Sequence, residues 1–198
     1  MDLTTVERVY AFDEALPSQK DKRTLIGMII TGISSEVEAF LGRNIQKDTY
    51  TEYFDVPEFS VPFVVLKGYP VLKDAEITPG VPNPLAFYTR EDQLSTTEVD
   101  INYDTGRVVP KIPIYSGLGT FKVEYYGGMA DDTEDFRTKY PDLEYEILLQ
   151  IIFEYKRKRN MAMVSVGAGG NSAETYAPSE LQPRLLKALR RYRLQCYV

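Results

Sequence analysis

Between residues 25 and 45 the chain reads LIGMIITGISSEVEAFLGRNI, with apolar residues at Leu25, Met28, Ile29, Ile33, Val37, Phe40 and Leu41. That is the i, i+3/i+4 spacing of one buried helical face, and it predicts a helix from about residue 18 to residue 41. Gly42 stands where a left-handed C-cap belongs, because a residue without Cβ takes that conformation at little cost. Gly27 and Gly32 inside the helix each cost about 1 kcal/mol relative to Ala, which we assign to close approach of another helix. Upstream, Thr4 or Thr5 is placed to cap a short helix that ends near Phe12 and Asp13.

From residue 48 to residue 128 helical periodicity disappears. Tyr, Phe, Val and Thr dominate, and prolines and glycines are read as recurring about every 8 to 12 residues. Strands are predicted at 49–56, 63–66, 73–78, 85–89, 99–103, 107–109 and 120–126. Tyr103, Asp104, Thr105 and Gly106 form a tight-turn signal, with Gly106 supplying a positive φ for a hairpin. Pro57, Pro62, Pro70, Pro79, Pro82, Pro84, Pro110 and Pro113 donate no ladder bonds and belong at edges and loops.

Helical spacing returns after an acidic stretch, 130–135, read as a loop. Pro141 suits a first helical position, with Asp142 and Glu144 favoured at the helix N-terminus. Leu143, Ile147, Leu148, Ile151, Ile152 and Tyr155 make a buried face, and the run Lys156, Arg157, Lys158 and Arg159 ends the helix. Residues 164–176 are rich in small residues and read as a loop; their G-x-G-G lacks the Lys-Ser/Thr and the preceding strand of a phosphate-binding loop. A last helix is predicted from about 179 to 194, with Leu181, Leu185, Leu186, Leu189 and Tyr192 on one side and Pro183 in its first turn. The fold class expected is α+β, a bundle of three to four helices with an inserted antiparallel β-rich region. Its parts are N-terminal helices 1–47, the insert 48–128 and C-terminal helices 129–198, the last packing with 1–47 as one domain.

Composition sharpens this picture at three points. The 198 residues contain no histidine, the usual neutral-pH base and commonest metal ligand. Ser-His-Asp and Cys-His triads and nearly all zinc sites are thereby removed, so no catalytic residue, metal or cofactor is expected. The single cysteine, Cys196, has no intrachain disulfide partner and fits a reducing compartment. No apolar run is read as approaching the roughly 20 residues of a membrane span, and the acidic N-terminal residues are unlike a signal peptide. Neither a membrane partner nor export is expected.

The net charge of −6 is uneven: residues 150–198 hold 9 basic and 3 acidic residues, against 14 and 26 before them. The predicted acidic β body and basic C-terminal helices could therefore supply two complementary faces. Helix-end capping accounts for part of the basic run.

Several of these segments, taken in order, resemble the head–tail connector (adaptor, head-completion) family of long-tailed bacteriophages. They are the helix ending in E-x-F-L-G-R-N-I, followed by Tyr50 and Tyr53; Leu66-Lys67-Gly68-Tyr69-Pro70-Val71; and Thr105-Gly106-Arg107-Val108. Val123-Glu124-Tyr125-Tyr126-Gly127-Gly128 and the terminal RLLKALRRYRL complete the series. The resemblance spans nearly the whole chain, although the insert differs in length from that of many relatives. It implies a structural virion protein of the neck, made in the host cytoplasm, forming a ring beneath the portal by cyclic symmetry. Its partners would be the portal protein, a tail or stopper protein and further copies of itself, with genomic DNA passing non-specifically through the ring. The free protein would be monomeric if its loop and C-terminal residues order only on docking. Lys156, Arg157, Lys158, Arg159, Arg190, Arg191 and Arg193 are the candidate contacts to portal, ring neighbour or DNA channel.

Alternative readings are a tail-completion or stopper protein of the same particle and a ligand-binding β module suggested by 15 tyrosines. Tyr is ordinary in strands, and Trp, a common sugar platform, is absent. A carboxylate enzyme built on Asp131, Asp132, Glu134 and Asp135 would need carboxyls on opposite sides of a substrate; a run in one loop is more simply solvated. No helix-turn-helix or zinc pattern suggests sequence-specific DNA binding.

Overall fold

The computed structural model describes residues 1–14, 16, 20–57, 63–73, 84–90, 92–164 and 181–193, with the side chains of 20, 21 and 159–164 outside that set. The fold is α+β. Chain contacts divide it into a helical unit, Met1–Leu41 with Thr133–Val198, and a β unit, Gly42–Asp132.

Among the described residues of the helical unit there are five α-helices: α1 Val6–Phe12, α2 Lys20–Leu41, α3 Thr133–Lys139, α4 Pro141–Val164 and α5 Pro183–Leu189. Thr5 caps α1 by accepting the Arg8 N–H, and Pro141 and Pro183 each open a helix. The expected count of three to four is exceeded by α3, which replaces part of the acidic loop. Glu134 and Asp135 occupy its first turn and pair with Arg137 and Lys139 one turn on, so its charges complement the helix dipole.

The core face of α2 also differs from the expected stripe. Ile26, Ile29, Ile30, Ile33, Val37 and Leu41 are buried, whereas Met28 is 67% exposed. Ile26 and Ile30 continue the 33–37–41 row, and this rotates Met28 outward. The window Lys22–Leu41 is long and apolar enough to cross a membrane by length and composition, which corrects the expectation of no such run. In the helical unit that stretch supplies the core face just named. Neither glycine shows the close approach expected: a Cβ on Gly27 would stand 3.9 Å from Val6 of α1, an ordinary contact, and Gly32 opens onto free space.

Among its described residues the β unit has two antiparallel sheets. One has the order β1 (Asp48–Val56), β7 (Gly117–Gly127), β3 (Ala86–Thr89), β4 (Asp92–Leu94). The other has the order β2 (Val64–Val65), β6 (Arg107–Pro110), β5 (Val99–Asn102). Val56, Phe87, Leu94, Phe121, Val123 and Tyr125 of the first sheet share one apolar core with Val64, Val99 and Val108 of the second. Gly106 closes the β5–β6 hairpin at φ +66°, and Gly42 ends α2 at φ +65°, both as the sequence predicts. The three-residue edge strand β4 was not expected. It follows a turn in which Arg90 takes φ +54°, and its D-Q-L sequence is the short, charged kind that blunts sheet edges. The strand expected at 73–78, the small-residue loop and Cys196 lie outside the described residues, apart from Lys73 and Val164.

The loop from Leu66 to Val71 crosses β7 at van der Waals limits. A Cβ on Gly127 would stand 2.0 Å from the Gly68 carbonyl oxygen, and one on Gly68 would stand 2.5 Å from the Tyr50 ring. Tyr125 is fully buried beneath this crossing; its hydroxyl accepts the Gly68 N–H at 2.8 Å and donates to the Glu52 carboxylate. Burial first, and then that hydrogen bond, push the Tyr125 phenol well above its ordinary value of 10.0.

Two predictions follow from this packing. Gly127→Ala should destabilise the β unit by about 2 kcal/mol or more, because backbone rather than a flexible side chain must move. Gly32→Ala should instead stabilise the helical unit by up to about 1 kcal/mol; denaturant titration of both variants checks the contrast. Tyr125→Phe should cost about 1–3 kcal/mol near neutral pH. Because the folded phenol holds its proton more tightly, its stabilisation is complete below pH of about 10 and is lost as the pH rises towards the folded phenol's own titration. The wild type should therefore lose stability between about pH 10 and 12 with a steeper slope than Tyr125→Phe, as read by denaturation midpoints across that range.

Candidate functional site

The candidate cations are carried by α4 and by the chain around α5, so what α4 buries decides which of them are available. Three polar side chains of α4 are buried beside its apolar face: Glu144, Gln150 and Glu154. Glu144 accepts from Arg8 Nε at 3.1 Å and Thr4 Oγ1 at 3.5 Å, which ties α1 to α4. Gln150 Oε1 accepts the backbone N–H of Gln182 at 2.9 Å, which fixes the approach to α5. Glu154 Oε2 accepts from Arg157 Nε at 3.1 Å and Nη2 at 2.7 Å, and both side chains are nearly buried.

The basic run of α4 therefore splits, and it does not end the helix as expected, because α4 continues to Val164 and has no basic residue in its last turn. Arg157 serves the buried Glu154, and Lys156 pairs with Asp13 of the α1 C-cap at 3.0 Å. Lys158 is exposed and has no ion-pair partner among the described residues; the Arg159 side chain lies outside them. Beside this run, Met28, Gly32 and Glu36 of α2 and Gln150, Glu154 and Lys158 of α4 line a cleft of about 250 Å³.

The second group lies elsewhere. Arg191 approaches Asp142 at 4.0 Å, and Tyr192 donates to the same carboxylate at 3.1 Å. Burial, then the Asp142 hydrogen bond, raise the Tyr192 phenol above its ordinary range. Asp142 is in the first turn of α4, so this group stands roughly 21 Å along the helix from Lys156 at 1.5 Å per residue. The two basic runs form two surfaces rather than one. Arg193 lies over the Phe40 ring at 5.2 Å, and Arg190 is exposed without an ionic partner among the described residues.

Two cations not singled out from the sequence complete the outward side of α5. Arg184 pairs with Glu146 at 2.7 Å and lies 5.7 Å from the Tyr145 ring centroid. Lys187 is exposed, with no ionic partner among the described residues. Their spacing from Arg190 and Arg191 would have revealed them once Pro183 was taken as the first helical residue.

Packing also changes the charge picture. The helical unit holds 15 basic and 15 acidic residues, and the β unit 8 and 14, so the net −6 belongs to the β unit. Acids of the N-terminal helices offset the basic C-terminal tract. Of the candidate carboxylates, Asp131 pairs with Lys47 at 2.6 Å, Glu134 with Arg137, and Asp135 with Lys139 at 2.8 Å.

No family model matches the sequence, and no curated protein matches it. Solved structures share its fold, among them two chains of gene transfer agent particles. One is a chain in the neck of an empty gene transfer agent particle computed with C6 symmetry, with a TM-score of 0.54 and 9% identity. The other is a chain in the virion of a native gene transfer agent particle, with a TM-score of 0.52 and 11% identity. Each alignment covers 95% of this chain and 88% of the other. At such identities the likeness is one of fold.

The split of the α4 run is testable. Arg157→Ala leaves Glu154 buried without its main cation and should cost about 3 kcal/mol. Lys158→Ala should change stability by less than about 0.5 kcal/mol. Equal effects in chemical denaturation would contradict the division between structural and free cations.

Proposed function

We propose that this chain is a structural, non-catalytic protein of the neck of a phage-like particle, a head–tail connector that joins head to tail as a ring beneath the portal. The observation that carries the reading is the extent of the fold likeness to a neck chain, which covers 95% of this chain and so spans both units. The ordered segments from E-x-F-L-G-R-N-I to RLLKALRRYRL support the same assignment. In this reading its partners are the portal on one side and a tail or stopper protein on the other. DNA passes through the ring without sequence recognition.

Electron microscopy of lysates from a particle-producing strain lacking this gene tests the reading. Packaged or leaking heads beside unattached tails are expected. Normal infectious particles would overturn it, and heads that retain DNA with only the last tail-joining step missing would place the chain further down the neck as a tail-completion protein.

A further inference from the structure

We propose that the cationic face of α5, together with the aromatic surface beside it, docks on the acidic β unit of a second copy of this chain. The inference rests on the ring reading above and names the contact that would build the ring.

Leu185 and Leu189 bury one side of α5, and this turns Arg184, Lys187, Arg190 and Arg191 outward at i, i+3 and i+4 spacing. Lys187 and Arg190, one turn apart and alike in charge, repel each other in the isolated chain. Arg184 is paired with Glu146 and Arg191 approaches Asp142, just as Lys156 and Arg157 are held by Asp13 and Glu154, so among the described residues Lys187 and Arg190 are the cations of this row left for a partner.

The surface beside the cations distinguishes a protein partner from nucleic acid. Arg184 lies against Tyr145, whose ring meets Phe12 edge-on at 5.5 Å. Tyr145, Leu149 and Phe153 follow one another every four residues along α4, and Tyr145 and Phe153 are 44% and 45% exposed. A phosphate backbone is held by cations and hydrogen-bond donors and has no use for an aromatic stripe. Aromatic rings bordered by Arg are the composition of protein interface cores.

The occupant must then be acidic and must itself expose apolar side chains. The β unit of this same chain is both. It carries 14 acidic against 8 basic residues. Where β1 ends and β7 begins it exposes Leu118 at 87% and Tyr53 at 64%, beside a hollow of about 390 Å³ that includes Asp55. Two dissimilar, complementary faces on one chain make a head-to-tail contact, which closes into a ring when the rotation between copies permits.

The test uses the whole chain in sedimentation equilibrium from micromolar to millimolar concentration. Wild type should associate beyond a dimer. Lys187→Glu with Arg190→Glu reverses one face, and Leu118→Lys places a cation on the other. Each variant should lower the association constant by about tenfold or more while its thermal melting stays at the wild-type value. An equimolar mixture of the two variants retains one intact face of each kind and should form a one-to-one dimer that grows no further. Three outcomes overturn the proposal: a wild type that stays monomeric, a variant that associates like wild type, or a mixture that yields no dimer. Loss of retention on duplex DNA by the double variant, with association unchanged, also overturns it and assigns the face to nucleic acid. The gene-deletion experiment is read separately. Normal particles alongside intact head-to-tail association would remove the neck reading alone, whereas defective necks alongside a monomeric protein would remove this contact alone.

Discussion

The β unit depends on one backbone crossing that leaves no room for a side chain. At Gly127 the last residue of β7 meets the carbonyl of Gly68, and Gly128 donates its N–H to the Pro70 carbonyl at 3.0 Å. The strands around the crossing are tied to it. Leu66 donates to Gly106 at 2.9 Å, Val71 to Tyr103 at 2.7 Å, and Asn44 to Lys67 at 2.9 Å. Arg43 donates to the Tyr69 carbonyl, and its guanidinium stacks 3.5 Å from the Tyr69 ring centroid. Four segments distant in sequence therefore meet at one point: the GRN that follows α2, the LKGYPV loop, the TGRV hairpin and the YYGG strand end. Four of the five segments singled out in the sequence thus meet in the β unit. Gly106, Gly127 and Gly128 are each crowded by the backbone of another segment and Gly68 by the Tyr50 and Tyr125 side chains, whereas Gly42 is required by its own positive φ.

In the helical unit the corresponding role falls to buried polar groups on α4. Burying a carboxylate is costly unless it is paired and hydrogen-bonded, so Glu144 and Glu154 constrain what may stand against them. Glu144 holds α1 through Arg8 and Thr4. Gln150 holds the entry to α5 through a backbone N–H, and Glu154 holds Arg157. Apolar packing alone would accept several rotations of these helices. Buried acceptors that must meet particular donors accept far fewer, and the outward-facing residues are fixed by the same rotation.

Features governed by local backbone chemistry were legible in the sequence. Gly42 and Gly106 took the left-handed conformations expected of them, Thr5 and Pro141 opened helices where their chemistry allows, and Pro183 opens the last helix, which spans Pro183–Leu189 rather than the expected 179 to 194. Features that depend on distant partners were not. Met28 and Ile26 fit the helical period equally well, and only the packing of the unit selects between them. The acidic stretch read as loop because its cations, Arg137 and Lys139, come one turn later and complete α3 only when counted with it. Of the candidate cations, Arg157 was visible as an i, i+3 partner of Glu154, but the burial of that pair was not. The Lys156 partner, Asp13, lies near the other end of the chain. Arg184 and Lys187 were passed over because a run of adjacent cations is conspicuous, whereas the same charges dispersed at helical spacing are not.

The partition of charge also restricts how copies of this chain can meet. An isologous contact, in which each copy offers the same patch, would set one acidic β unit against another, or one row of α5 cations against another. Both arrangements bring like charges together, and within a screening length of roughly 10 Å that repulsion opposes association. A head-to-tail contact pairs the two signs and brings exposed aromatic and aliphatic surface together from both sides. Neither the helical unit, with no net charge, nor the β unit, with −6, would impose this choice through total charge. It arises because Lys156 and Arg157 of α4 are paired inside the helical unit, whereas Lys187 and Arg190 of α5 face outward with no ionic partner among the described residues, so helix packing decides which of these cations remain for a neighbour.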